Sequence, residues 1–69
     1  MDLLTATLIA ANLVSTAKNL WELTFMMEDD PAKERKFRIK SNYDFKNSQV
    51  RHFVLTTRGN RIIKLEPLD

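Results

Sequence analysis

Apolar residues in the first part of the chain recur with the spacing of one helix face. At about 100° per residue, most of the apolar side chains between Leu3 and Met27 fall within one arc, while Asn12, Lys18 and Glu22 take the other side. Asp2 is suited to cap the first turn, and Pro31 prevents the helix from continuing. The pattern therefore predicts one long amphipathic helix over residues 2–28.

From residue 33 onward, apolar and polar residues alternate instead. Phe37 and Ile39 lie between Lys36, Arg38 and Lys40, a pattern typical of a strand with one buried face. Two further strands are predicted, at about 50–57 and 61–66, with Tyr43 or Phe45 tucked under the sheet from the preceding loop. The predicted fold class is α+β, with the helix packed on a three-stranded antiparallel meander over 33–66, in a single domain spanning 1–69.

The turn between the last two predicted strands sets their register. A three-residue turn of Arg58, Gly59 and Asn60 gives one coherent apolar face. It pairs Leu55 with Ile63, Phe53 with Leu65, His52 with Glu66 and Val54 with Lys64. The predicted core of the sheet is Phe37, Ile39, Phe53, Leu55, Ile63 and Leu65. The predicted outer face carries Lys36, Arg38, Lys40, His52, Val54, Thr56, Ile62 and Lys64.

Charge is divided unequally along the chain. Residues 1–32 contain one lysine against five acids, whereas residues 33–64 contain ten lysines and arginines against two acids. Although the net charge of the whole chain is only +2, the predicted sheet of residues 33–66 is strongly basic. The predicted partner-binding residues on or beside that sheet are Lys36, Arg38, Lys40, His52, Arg58, Arg61 and Lys64.

Two kinds of partner fit such a surface, and a purely structural role competes with both. The favoured function is that of a small adaptor or inhibitor, using the basic face or a strand edge against an acidic protein. The alternative is a nucleic-acid-binding protein that contacts phosphates, as a dimer. Protein binding is placed first because no aromatic stacking residue is predicted on the exposed face. Lysines and arginines on exposed strands also protect edges from unwanted pairing.

Residues typical of catalysis are scarce. The chain has no cysteine, one histidine and one glycine, so we expect no enzyme, no metal site, no cofactor and no small-molecule substrate. The acids Glu28, Asp29 and Asp30 are consecutive and lack the ligand spacing of a calcium loop.

A small domain without disulfides or metal gains stability from a second copy. Leu4, Leu8 and Met26 project from the polar side of the predicted helix, so we expect a homo-oligomer that uses them as its interface. Association with a membrane through residues 3–27 is a weaker alternative, because polar residues interrupt the apolar run and Lys18 ends it. The expected location is cytoplasmic.

Overall fold

The computed structural model describes residues 2–59 and 61–68 and is built from β-strands. The five strands are β1 (Asp2–Ser15), β2 (Leu20–Met27), β3 (Glu34–Lys40), β4 (His52–Arg58) and β5 (Arg61–Pro67). Neighbouring strands are antiparallel, and the described residues contain no helix. The predicted α+β fold with a helix over 2–28 is therefore wrong, since these residues form β1 and β2.

The strands form one sheet in the order β3-β2-β1-β4-β5. β1, β2 and β3 follow one another as a meander, and β4 returns to lie on the other side of β1. This order of four strands is a Greek key. β3 and β5 are each two antiparallel steps from β1 and run in the same direction. They also approach to within 8 Å between Cα atoms, so the sheet curls into a partly open barrel.

β1 has to bend to fit inside the molecule. Its 14 residues would span about 46 Å when straight, at about 3.3 Å per residue, whereas the longest dimension of the protein is 33 Å. The pairing of β1 with β2 shifts between Leu8 and Ala10 and again between Leu13 and Ser15. Such irregularities bend a strand and increase its twist, so they let β1 serve both halves of the barrel.

β2 shows why the first part of the chain forms strands. Trp21, Leu23, Phe25 and Met27 are buried at alternating positions, with β1 on one side and β3 on the other. The helical arc accounts for Trp21, Phe25 and Met27 but leaves Leu23 on the polar side. A strand buries all of them on one face. The turn between β1 and β2 uses Asn19 at φ 51°, a left-handed conformation that asparagine tolerates.

Aromatic rings fill the interior of the barrel. The Phe25 ring lies 6.2 Å from that of Phe37 and 6.0 Å from that of Phe53, both in edge-to-face geometry. Phe45, in the connection between β3 and β4, packs edge-on against Trp21 with ring centroids 5.4 Å apart. Phe45 is fully buried, which confirms the prediction that an aromatic residue of this connection tucks under the sheet. These contacts make the connection part of the core.

The positions of β4 and β5 match the prediction, but their register does not. Leu55 pairs with Leu65, and Phe53 pairs with Pro67. His52 lies opposite Thr7 of β1 rather than opposite Glu66, which pairs with Val54, while Lys64 pairs with Thr56. Gly59 occupies the left-handed region at φ 62° in the turn, and Asn60 lies outside the described residues.

An irregularity in this pairing exchanges the roles of two isoleucines. The register shifts between Thr56 and Thr57, so that Thr57 pairs with Ile62 and the intervening Ile63 has no partner in the ladder. Ile62 packs against the core, whereas Ile63 is 53% exposed. The prediction had placed Ile63 inside and Ile62 outside. Within the predicted core, Phe37, Phe53 and Leu55 are buried, and Ile39 and Leu65 are partly buried.

The two isoleucines provide a matched test of the register. We expect Ile62→Ala to lower the free energy of unfolding by about 2 kcal/mol, the lower end of the range for truncating a buried isoleucine. Ile63→Ala should change it by less than about 0.5 kcal/mol, as is usual for a surface position. Urea unfolding followed by the fluorescence of the buried Trp21 measures both. The reverse order of effects would support the predicted register against the observed one.

Candidate functional site

A groove of about 620 Å³ follows the seam where β3 and β5 approach each other. Its apolar lining includes Leu20, Ile39, Phe45, Phe53, Ile62, Ile63, Leu65 and Pro67. Its polar lining consists of Arg38, Lys40, Ser41, Tyr43, Arg61 and Lys64. No carboxylate side chain belongs to either set. The groove is therefore a channel lined by both apolar and polar side chains, with cations from both strands.

Alternation along β3 places its cations on the rim. Phe37 and Ile39 point into the barrel, so Lys36, Arg38 and Lys40 take the exposed positions between and beside them. The sequence predicted this division correctly. Arg38 and Lys40 are two residues apart, about 6.6 Å along the strand, and both reach the groove.

Two of the four rim cations have acidic neighbours. Arg38 Nε donates a hydrogen bond to the Glu22 carboxylate across the β2–β3 ladder at 3.3 Å. The Lys64 ammonium lies 2.8 Å from Glu66 Oε1. The hydrogen bond to Glu66 and the attraction of its charge raise the pKa of Lys64 above its ordinary value. Both pairs are exposed and screened by solvent, so they hold the side chains only loosely.

Lys40 and Arg61 form no ion pair with any residue in 2–59 or 61–68. They lie on the rims contributed by β3 and β5, respectively. A bound anion would gain more from them than from Arg38 or Lys64, because no carboxylate has to be displaced. Lys40 and Arg61 are therefore the strongest candidate anion contacts.

Hydrogen bonds fix the end of the groove beside Tyr43. The Trp21 indole N–H donates to the Ser41 carbonyl at 3.2 Å, and the Ser41 N–H donates to the Asn19 carbonyl at 2.9 Å. The Tyr43 N–H donates to Ser41 Oγ at 3.1 Å. The turn between β1 and β2 is thus tied to the segment after β3, so this end of the groove is held in place before any ligand arrives.

Tyr43 is the aromatic residue that remains accessible at this site. The residue is 39% exposed, and its ring contacts that of Phe45 edge-on, with centroids 4.9 Å apart. Its hydroxyl shares a hydrogen bond of 2.5 Å with Ser48 Oγ. The phenol is therefore anchored at both its ring and its hydroxyl. It offers a flat surface at the mouth of the groove, which the sequence did not single out as a binding residue.

Asp44 organises the turn that carries Phe45 into the core. Its carboxylate accepts hydrogen bonds from the Asn47 side-chain amide at 2.8 Å, the Asn47 N–H at 3.1 Å and the Lys46 N–H at 3.2 Å. The Asn47 side-chain bond is the main cause that lowers the pKa of Asp44 below 3.8, with the two backbone donors adding to it. The ionised form of Asp44 therefore supports the floor of the groove.

The predicted partner-binding residues are only partly brought together. Arg38, Lys40, Arg61 and Lys64 line the groove, whereas Lys36, His52 and Arg58 do not. Lys36 lies on the outer face of β3, His52 begins β4 beside Thr7, and Arg58 ends β4 opposite Arg61. Local alternation identified the cations but could not show which of them meet across the seam.

The predicted oligomer interface loses its basis with the helix. Leu8 is 3% exposed and belongs to the core, and Leu4 packs against that core from the same face of β1. Met26 lies opposite Thr7 on the outer face of β2. In a strand, residues two apart share a face, so the even-numbered Leu4 and Leu8 point inward with Ala6. These three residues do not form one surface patch.

Other kinds of site are not indicated by the part of the chain that is described. No group of histidine, cysteine or acidic side chains there could hold a metal ion. None of its segments is a helix of the length and apolar character needed to cross a membrane. The groove between β3 and β5 is therefore the feature on which a functional argument can be based.

Comparison with known proteins identifies no protein that is similar to this chain. The chain matches no protein-family model, no curated protein and no solved structure.

The Asp44 turn gives a prediction about pH. We expect Asn47→Ala to raise the Asp44 pKa toward 3.8, because it removes the largest stabilising contact of the carboxylate. Carboxyl chemical shifts in an NMR titration report this value, with Asn42→Ala as the control. Since folding lowers this pKa, the stability that the carboxylate contributes is present above about pH 4 and is lost as the pH falls through the folded-state value. An Asp44 pKa that Asn47→Ala leaves unchanged would contradict this account of the turn.

Proposed function

We propose that this protein binds single-stranded nucleic acid in the groove between β3 and β5. The observation that carries the proposal is the composition of the groove, in which Arg38, Lys40, Arg61 and Lys64 border an apolar floor without a carboxylate in the lining. A nucleic-acid strand has both a repeating negative charge and flat, weakly polar bases. Cations at the rim and apolar side chains beneath them complement both parts.

The architecture supports the same ligand class. Five-stranded, partly open Greek-key barrels include the oligonucleotide- and oligosaccharide-binding fold, which uses the face of strands 2 and 3 with the adjoining loops. Here the groove is bordered by β3, by Leu20 at the start of β2 and by Arg61 just after the β4–β5 turn. The likeness concerns architecture alone, and one architecture hosts many functions. It therefore supplements the argument from charge.

The shape of the site favours a single strand over a duplex. The described residues contain no helix that could enter the major groove of a duplex, and the cations of the β4–β5 ribbon that line the groove, Arg61 and Lys64, face the channel between β3 and β5. The site is instead a channel of about 620 Å³, with Tyr43 exposed at its mouth. An unpaired base can stack on that ring, whereas a base inside a duplex is covered by its neighbours.

An acidic protein segment is the second candidate ligand, and one observation favours it. Among the described aromatic side chains, Trp21, Phe25, Phe37, Phe45 and Phe53 are buried, which leaves Tyr43 as a stacking surface. Binders of single strands commonly use several exposed aromatic residues. The adaptor or inhibitor role expected from the sequence therefore stays a proposal, in which the same rim cations contact aspartate or glutamate.

Two further expectations belong to this proposal. We infer a non-enzymatic role, because the groove lining offers Ser41 and Tyr43 but no acid, histidine or cysteine to activate them. We also keep the cytoplasmic location as part of the proposal. Cell fractionation tests the location independently of binding.

Binding to phosphates predicts a specific dependence on salt. With four rim cations and a slope of about 0.7 per phosphate contact, log Kd for single-stranded DNA should change with log salt with a slope of about 3. Lys40→Gln should reduce that slope by about 0.7 and weaken binding. Lys36→Gln is the matched control, because Lys36 lies on the same strand, outside the groove, and like Lys40 forms no ion pair with any of the described residues. Fluorescence anisotropy over a salt series measures both variants.

The alternatives give different results in the same experiment. Equal losses for Lys40→Gln and Lys36→Gln would indicate attraction to net charge and would contradict binding in the groove. Absence of binding to DNA or RNA at low salt would exclude the first proposal. Binding of a poly-glutamate peptide that Lys40→Gln weakens, together with no binding of nucleic acid, would favour the acidic protein partner.

A further inference from the structure

The second half of β1 has a strand neighbour on one side only. β1 pairs with β4 from Asp2 to Thr7, whereas its pairing with β2 continues to Ser15. We call residues 9–15 the β1 overhang. The β3–β4 connection lies beside its start, where Phe45, Lys46 and Arg51 line a small cavity with Leu8–Ala11. Within the described chain, no strand pairs with residues 12–15 on the β4 side.

The overhang is apolar and uncharged. Ile9, Leu13 and Val14 are 47%, 43% and 48% exposed, and no charged residue occurs between Asp2 and Lys18. An exposed strand edge of this kind is a template for pairing with another chain, and natural proteins protect such edges with charges or proline. An unprotected apolar edge indicates that something covers it.

The two outermost strands of the sheet, β3 and β5, are protected against unwanted pairing by charged residues and proline. β3 carries Lys36, Arg38 and Lys40 on its exposed face, and β5 carries Arg61 and Lys64 and ends at Pro67. Strands that are at risk of unwanted pairing are thus charged, while the overhang is not. This contrast separates the overhang from the ordinary scatter of exposed apolar residues.

We propose that the β1 overhang pairs with the same segment of a second copy, strand to strand and antiparallel. Two identical strands related by a two-fold axis are self-complementary, and the interface closes at two chains. An axis near Leu13 places this side chain beside its own copy and Val14 opposite Asn12 of the other chain. With this axis the paired residues are those of 11–15, which carry no charge, so no like charges lie directly opposite each other in the paired segment.

The position of the overhang also suits the rest of the molecule. β1 is the central strand of the order β3-β2-β1-β4-β5, so it lies across the barrel from the β3–β5 seam. None of the described residues of β1 lines the groove, so pairing through the overhang does not use the side chains of the groove. This interface replaces the one predicted from Leu4, Leu8 and Met26.

Substitutions that introduce charge into the overhang test this interface. Wild-type protein should sediment with a mass of twice the 8.1 kDa of one chain at high concentration and dissociate on dilution. Leu13→Lys and Val14→Lys should each place lysine at the axis or beside it and yield monomers at concentrations where the wild type is a dimer. Leu3→Lys is the control, because Leu3 is 73% exposed on the same strand but lies outside the overhang. It should remain dimeric.

The outcomes distinguish loss of the interface from loss of the fold. Far-ultraviolet circular dichroism and Trp21 fluorescence establish whether each variant retains the native sheet. If Leu13→Lys unfolds, Val14→Lys alone tests the interface. A wild-type mass of 8.1 kDa at all concentrations would overturn the proposal. So would a folded Val14→Lys variant that is as dimeric as Leu3→Lys, or growth of the wild type into open-ended assemblies.

Discussion

The structure depends on one strand that two neighbours share. Residues 2–7 of β1 pair with β4, while β1 pairs with β2 as far as Ser15, so the β1–β3 meander and the β4–β5 hairpin are joined through a single backbone. A straight strand of 14 residues would not fit in a molecule 33 Å long, and the irregularities in its pairing with β2 bend β1 beyond Leu8, after Ala6 and Leu8 have joined the core with Phe25 and Phe53. The bend in β1 therefore lets the three-stranded meander and the β4–β5 hairpin, which would be marginally stable alone, form one barrel.

The groove is a consequence of the same curvature. When the sheet curls about β1, its two outermost strands are brought together, and these are the strands that carry the basic alternating segments of the sequence. Cations that are far apart in the chain, such as Lys40 and Arg61, then face one channel. The floor of that channel comes partly from the β3–β4 connection, where the Asp44 turn places Phe45 in the core.

The sequence predicts the features that neighbouring residues determine, but not those that depend on contacts between residues distant in the chain. β3, β4 and β5 follow from local alternation, and Phe37, Phe53 and Leu55 are buried as predicted. β1 and β2 do not, because a dense run of apolar residues satisfies a helical period while Trp21, Leu23, Phe25 and Met27 also satisfy a strand period. Pairing with β3 and β4, which are distant in sequence, decides between them. Ile62 rather than Ile63 faces the core because the β4–β5 pairing contains an irregularity, which the composition of the strands does not reveal. The groove forms where β3 and β5 approach each other, and the local pattern of either strand cannot show this contact.

Position in the barrel distinguishes two roles that one residue type can have. Lys36 and Lys40 belong to the same strand, alternate with the same core residues and carry the same charge, yet of the two only Lys40 reaches the groove. Lys36 lies opposite Thr24 on the outer face, where a charge discourages strand pairing. Protection of an edge requires only that a charge be present, whereas ligand binding requires charges that converge on one space. Convergence at the seam, rather than the number of cations in the chain, is therefore the physical argument for a binding site.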